Sequence, residues 1–564
     1  MVVLAAAFSI LAASWSAAAD NTSARQKRPS AVPSKPQASV PEPGDDPTID
    51  FINQQLAQSW RDAELTPSPH ATDGEWARRV FLDLIGRIPS VDETNQFLSD
   101  RSKDKRAKLV ARLLGSEYRD EYARNWASIW ANLLIGRRVD GDRRGLVSRE
   151  GLETWLHGAF VANLPYDQFV RQLVSANGAN QPDEEGFNGA VNFLLDNLQE
   201  KATPATTKTA KLFLGVQVQC TQCHDHPFNT WKQEQFWGFN AFFRQARGLR
   251  TFDGTQVVGA RLEDEDFAGE GNDPESGEIY FERRNGTLIG VLEPTFIDGQ
   301  KIKPSGYVED VNRRDELAEL IAKSPELPLA IVNRLWAHFF GYGFTQPVDD
   351  MGPHNPVWRP DLLQGLADRL RDTQFDLQQL MRWLVLSEPY ALSSQAGRKN
   401  QADDPGTGNK PAFSRFYLRQ MRPEELYESL VTATRAEKKG DADHDRRKRE
   451  WLNQFTISYG TDENDEASTF NGTITQTLML MNGELTRNAI STKEGTFLYD
   501  LAAASGKDRD KISQLYLAAF SRPPGKEELS AAQRVWLNHR GDTKAALEDI
   551  WWALLNSNEF ILNH

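Results

Sequence analysis

The 564-residue chain has only two cysteines, Cys220 and Cys223, and only six methionines. After the first 20 residues it has no apolar run of about 18 residues, the length needed to span a bilayer, so no transmembrane helix is expected. Positive charge is in deficit: 65 Lys and Arg against 79 Asp and Glu leave a net charge of −14. That balance excludes nucleic acid and anionic membrane as main partners. No Ser-His-Asp, Walker or His-Glu-x-x-His pattern supports a specific hydrolase. Strand signals are nearly missing from the first 245 residues. What remains, 39% apolar and 26% charged, describes an ordinary soluble protein, long enough for about two to four domains with proper cores.

Both cysteines fall in one stretch, KLFLGVQVQCTQCHDHPFNTWKQEQFWGFNAFF, from Lys211 to Phe243. Cys220-x-x-Cys223-His224 is the c-type haem attachment pattern, in which two thiols bond the haem vinyl groups and the next residue ligates the iron. Three readings compete for it. The first is covalent haem on Cys220, Cys223 and His224. The second is a non-haem zinc or iron site using Cys220, Cys223, His226 and one remote ligand. The third is a local disulfide, or a reduced and packed cysteine pair with no cofactor. The flanks are unlike a compact cytochrome domain. An apolar helix pattern (Ala210, Phe213, Leu214, Val216, Val218) precedes the cysteines, and aromatics at helical spacing (Trp231, Phe236, Trp237, Phe239, Phe242, Phe243) follow, as in a core.

MVVLAAAFSILAASWSAAAD predicts a signal peptide over residues 1–19, with an apolar stretch from Val2 to Ala13 and Ala17–Ala19 before Asp20. The mature protein is therefore expected outside the cytoplasm, periplasmic or extracellular, and soluble. Residues 20–48 are Pro- and Ser-rich and predict a disordered linker. A helical domain is expected over 49–245. In it Trp76, Val80, Phe81, Leu84 and Ile85 form one stripe that stops at Gly86, and Ser90 with Glu93 forms a capping box. Residues 246–305 alternate apolar and polar, with Asn285-Gly286 as a hairpin turn, and predict a small antiparallel sheet. The acidic run LEDEDFAGEGNDPESGE inside it is expected to be a mobile surface loop, with weak calcium binding as a minor option. Helical periodicity returns over 306–564. The expected fold is mainly α: two multi-helical domains with a small β insertion between them.

Particular motifs add a resemblance. RRVFLDLIGRIPSVDETNQFL, LPYDQFVRQLV and the Cys-x-x-Cys-His-Asp-His run are similar to a planctomycete-type family, the cytochrome-c-associated domain (domain of unknown function 1549), from about Ile49 to Phe243. VNRLWAHFFG from Val332 to Gly341, and Pro347 to Asp350, resemble its partner family, domain of unknown function 1553. The resemblance extends through MRPEELYESLVTATR, GTITQTLMLMNGELTRNA and the C-terminal LLNSNEFILNH. It implies that Cys220, Cys223, His224, Asp225 and His226 form the functional centre, and it assigns no reaction.

Outside that centre, His338 reads either as a core imidazole or as a remote ligand completing the site. Asp349 and Asp350 read as helix-capping carboxylates or as a general acid/base pair. Candidates for a sixth haem ligand are His338, Met351, Met479 and Met481, because His226 lies too close to His224 to reach the opposite haem face. The functional expectation is an exported, redox-associated protein with a c-type haem or a metal at Cys220–His226 and a redox or cell-surface protein partner. The alternative is a non-redox hydrolase or interaction scaffold of the cell exterior, with a structural cysteine pair.

Overall fold

Helices dominate the computed structural model, which describes residues 46–137, 146–437, 443–457 and 483–564. The expected signal peptide, residues 20–45 of the expected linker, Met479 and Met481 lie outside the described residues. The first helix, Pro47–Asp62, begins inside the expected linker: Asp46 accepts a hydrogen bond from the backbone of Thr48, and Pro47 stands where a missing N–H costs nothing. Asp73–Ile85 follows with its apolar stripe buried, and Gly86 in the left-handed conformation ends it. Ser90 and Glu93 form the expected capping box at the head of Val91–Ser99.

One apolar core gathers side chains from both helical halves, among them Ile52, Trp126, Phe213, Phe239, Trp336 and Leu384. A second core is built mainly from Met421 to Phe560 and reaches back to Leu82 and Ile88. The sheets are small and antiparallel. Ala246–Asp253 pairs with Gln256–Asp264, which also takes the two-residue strand Gly178–Ala179. Ile279–Glu282 pairs with Leu288–Val291 around Gly286, the expected hairpin. Among the described residues no helix is long and apolar enough to cross a membrane.

The acidic run is tied down rather than loose. Arg314 grips Asp264 with two hydrogen bonds of 2.6 Å, and Glu270 accepts from Lys201, Arg244 and the backbone of Tyr280. Phe267 is buried beneath Arg244. Asp264 and Glu270 are thus committed to cations and N–H groups of this chain.

The charges of the RRVFLDL stretch are buried too. Arg78 donates to the carbonyls of Ala519 and Phe560, and Arg79 to those of Tyr390, Leu392 and His564. Asp83 accepts from Tyr390 Oη (2.7 Å), on both its oxygens from Arg419 Nη2 (2.9 and 2.7 Å) and from Asn563 (2.8 Å). The first helical half is therefore fastened to the second through polar contacts in the interior.

A neighbouring ion pair sets acid sensitivity. Burial alone would push the Glu93 carboxyl up. Bidentate Arg87 and hydrogen bonds from Ser90 and Tyr118 overcome that and hold it at about 2. A carboxyl lowered by folding stabilises the fold above its unfolded pKa of about 4.3 and loses that contribution as pH falls towards 2. Glu93→Gln is therefore expected to flatten the loss of stability between about pH 5 and pH 2, read from urea midpoints across that range. A slope equal to the parent's would refute the assignment.

Candidate functional site

The chain reaches the cysteines through an irregular helix end. The turn Ala210–Leu214 is wound as a π-helix, and Gly215 closes it with its N–H on the carbonyl of Ala210. Gly215 has φ +66°, and a Cβ there would stand 2.3 Å from Met351 Cε. Glycine takes this conformation without strain, and its missing Cβ leaves room for the end of the Met351 side chain. The backbone N–H of Met351 then donates to the Gly215 carbonyl at 2.7 Å. The helix thus stops at Leu214, and Val216 and Val218 lie beyond it, not on its apolar face as their spacing suggested.

Cys220 lies in the 3₁₀ turn Gln219–Gln222, and Cys223 follows directly. Both cysteines are exposed and unbonded to each other, which disagrees with a packed pair. Buried Thr221 anchors the turn, donating from its backbone and its hydroxyl to the carbonyl of Val218. The Gln222 carbonyl accepts from Gln233 Nε2 at 3.2 Å and Trp237 Nε1 at 3.1 Å.

The two histidines beside the cysteines are in opposite states. His224 Nδ1 lies 2.6 Å from the carbonyl of Asp225. A carbonyl only accepts, so Nδ1 carries the proton and Nε2 keeps its lone pair. His226 Nδ1 accepts from the backbone N–H groups of Phe228 (3.2 Å) and Asn229 (3.1 Å). Its Nε2 therefore carries the proton when the ring is neutral. Desolvation, then the neighbouring His354, lowers its pKa and favours that neutral ring. Asp225 belongs to the frame: it accepts from the backbone of Gln233 (3.0 Å) at the start of helix Gln233–Asn240 and from Lys232 (3.1 Å). Those contacts, the Gln233 N–H foremost, lower its pKa. Phe228 leaves its ring 80% exposed on the same face as this loop's end.

From the second half comes a loop held by Asn333, whose amide donates to Thr345 and the Val348 carbonyl and whose oxygen accepts from the backbone of Phe344. It delivers Asp349 and Asp350 to different tasks. Asp349, 3% exposed, accepts from Gln217 at 2.8 Å and pairs with Lys211 at 3.1 Å, so it clasps the chain just ahead of the cysteines. Asp350 accepts from His354 Nε2 at 2.9 Å, and the His354 ring lies 5.6 Å from that of His226. Neither carboxylate caps a helix: Asp349 is held by Gln217 and Lys211, and Asp350 by His354.

His338 is elsewhere. Its ring packs on Trp126 at 4.9 Å, its Nε2 is buried without a partner, and desolvation holds its pKa well below the usual value. The residue of the second half that meets His226 is His354, which sequence reasoning did not single out. A lone His in a Gly- and Pro-rich loop carries no motif; its one signal was the four-residue spacing from Asp350. Met351 reaches the region as a wall of a small apolar cleft shared with Leu214, Val216 and Leu329. Among the described residues no three His, Cys, Asp or Glu side chains are gathered closely enough to hold a metal ion.

Two family models match, each described as a protein of unknown function: DUF1549 over residues 51–248 and DUF1553 over residues 313–536. The chain thus carries a segment of each family, in that order. Neither a curated protein nor a solved structure matches it. The DUF1549 segment contributes Lys211, Gln217 and the Cys220–His226 run, and the DUF1553 segment contributes Asn333, Asp349, Asp350 and His354. The two matched segments therefore meet at this loop.

The donor set distinguishes the cofactor readings. A non-haem zinc or iron site asks for three or four protein ligands in one place, and His226 offers a protonated Nε2. A haem of the c type asks this loop for two reachable thiols and one imidazole with a free Nε2. Cys220, Cys223 and His224 fit that requirement, with the Asp225 carbonyl holding His224 in the ligating tautomer.

Proposed function

We propose that the protein is exported and redox-associated, and that it carries one haem c on Cys220, Cys223 and His224. The observation that carries this reading is the His224 hydrogen bond to the Asp225 carbonyl, beside two exposed and unbonded thiols. A bound haem would supply one-electron transfer there. The chain's own residues prepare the loop for it. The Gln222 carbonyl is fixed, Asp225 starts the aromatic-rich helix, and His226 folds the following turn onto its Nδ1. A hydrolase would find an oriented imidazole in His354, but its spare Nδ1 is buried beside Gly352 and reaches no nucleophile.

Expression with the native leader in a host competent for c-type maturation tests the proposal. The expected product is red, shows a Soret band and gains the mass of one haem. A colourless product with two titratable thiols would remove the haem.

A further inference from the structure

We propose that Gln233 and Trp237 are positioning residues of the Cys220–Cys223 pair: together they hold the carbonyl between the two cysteines and so fix the separation of the thiols. The inference deepens the haem reading, since joint attachment of one ring needs both thiols in a set geometry.

Gln233 and Trp237 stand four residues apart on helix Gln233–Asn240, on one face. Both donate to the same acceptor, the Gln222 carbonyl, at 3.2 and 3.1 Å. That peptide unit joins Gln222 to Cys223, so its orientation sets where the second thiol points. Neither donor is free to wander. Gln233 is buried, and its amide also donates to the Glu282 carbonyl at 3.1 Å in the neighbouring hairpin. Its backbone N–H is held by Asp225. Trp237 stacks flat on Phe281, with centroids 6.0 Å apart and planes 6° apart. The exposed turn is thus braced from beneath by two side chains that are themselves braced.

The test uses the haem-free full chain made without maturation machinery, equilibrated in glutathione buffers. There the two thiols lose two electrons and two protons to oxidised glutathione, forming one Cys220–Cys223 disulfide and two reduced glutathiones. The equilibrium constant is an effective concentration of one thiol at the other. It reads their relative placement and is indifferent to overall stability while the chain stays folded. Gln233→Leu with Trp237→Phe keeps bulk and the Phe281 stack while deleting both donors. The expected result is a fall of about tenfold in that constant, or 1.4 kcal/mol. Trp551→Phe, which deletes another buried indole donor (to the Ala489 carbonyl), is expected to leave it unchanged. A double variant within twofold of the parent would overturn the proposal, as would an equal fall for Trp551→Phe. If the double variant does not fold, Gln233→Leu alone carries the test, with an expected fall of about threefold, half the tenfold free-energy loss. Haem loading is scored separately. A parent chain that takes no haem but shows the fall keeps the positioning role and loses the haem reading.

Discussion

Asp83→Ala is expected to lower stability by about 3–5 kcal/mol, because it strands the Arg419 guanidinium in the interior. Asp83 is 1% exposed and receives four hydrogen bonds: one each from Tyr390 and Asn563, and two from Arg419 Nη2. Desolvation pushes its carboxyl pKa up, and Arg419 pulls against that. The carboxylate therefore depends on its partners, and they depend on it. A loss of this size is a large part of the roughly 5–15 kcal/mol that keeps a domain folded. Asp83→Asn, which keeps the shape and loses the charge, should cost less than the alanine. Urea midpoints at constant m-value report both changes. An alanine variant within about 1 kcal/mol of the parent would show that the second half does not need this anchor.

The other large effect concerns the thiols. Replacing Cys220 and Cys223 together by serine is expected to abolish haem content in the maturation-competent host and leave the helical far-UV signal intact. Both cysteines are exposed, so their replacement removes no core packing. His224→Ala should lower occupancy and alter the Soret band with both thiols present, since the ring holds its Nε2 free for a ligand. His226→Ala should spare attachment and loosen the turn whose N–H groups its Nδ1 accepts. The ranking separates a haem from a cation held by His226. Loss of metal in the His226 variant with haem absent from the parent would reverse the reading.

How much of this was legible in the sequence depends on the range of the interaction. The capping box at Ser90, the stripe on Asp73–Ile85 and the hairpin at Gly286 are local patterns, and all three are present as read. What escaped is long-range. Gln217 and Asp349 are 132 residues apart, and nothing about either announces the other. His338 stood out because it lies in an aromatic motif, but its helix turns that ring to Trp126. His354, the imidazole that meets His226, sits in a loop with no periodicity to read. The buried charges of helix Asp73–Ile85 give no local signal either. Arg78, Arg79 and Asp83 look like the wet face of an amphipathic helix, and only distant carbonyls and a distant guanidinium make their burial tolerable.

The arginines of that helix also put the protein on a clock. The carbonyl that Arg79 shares with His564 lies 485 residues further along, and that of Phe560 lies 482 residues beyond Arg78. At ribosomal speeds of about 5–20 residues per second, those acceptors appear roughly 25–100 s after the guanidiniums they serve. Until then Arg79 has only the carbonyls of Tyr390 and Leu392, themselves 311 and 313 residues on, and Arg78 has none of its acceptors before Ala519, 441 residues on. A guanidinium without an acceptor stays in water, so the first half cannot close early on its own. Completion of the interior waits for the last stretch of chain, and the protein spends its synthesis open.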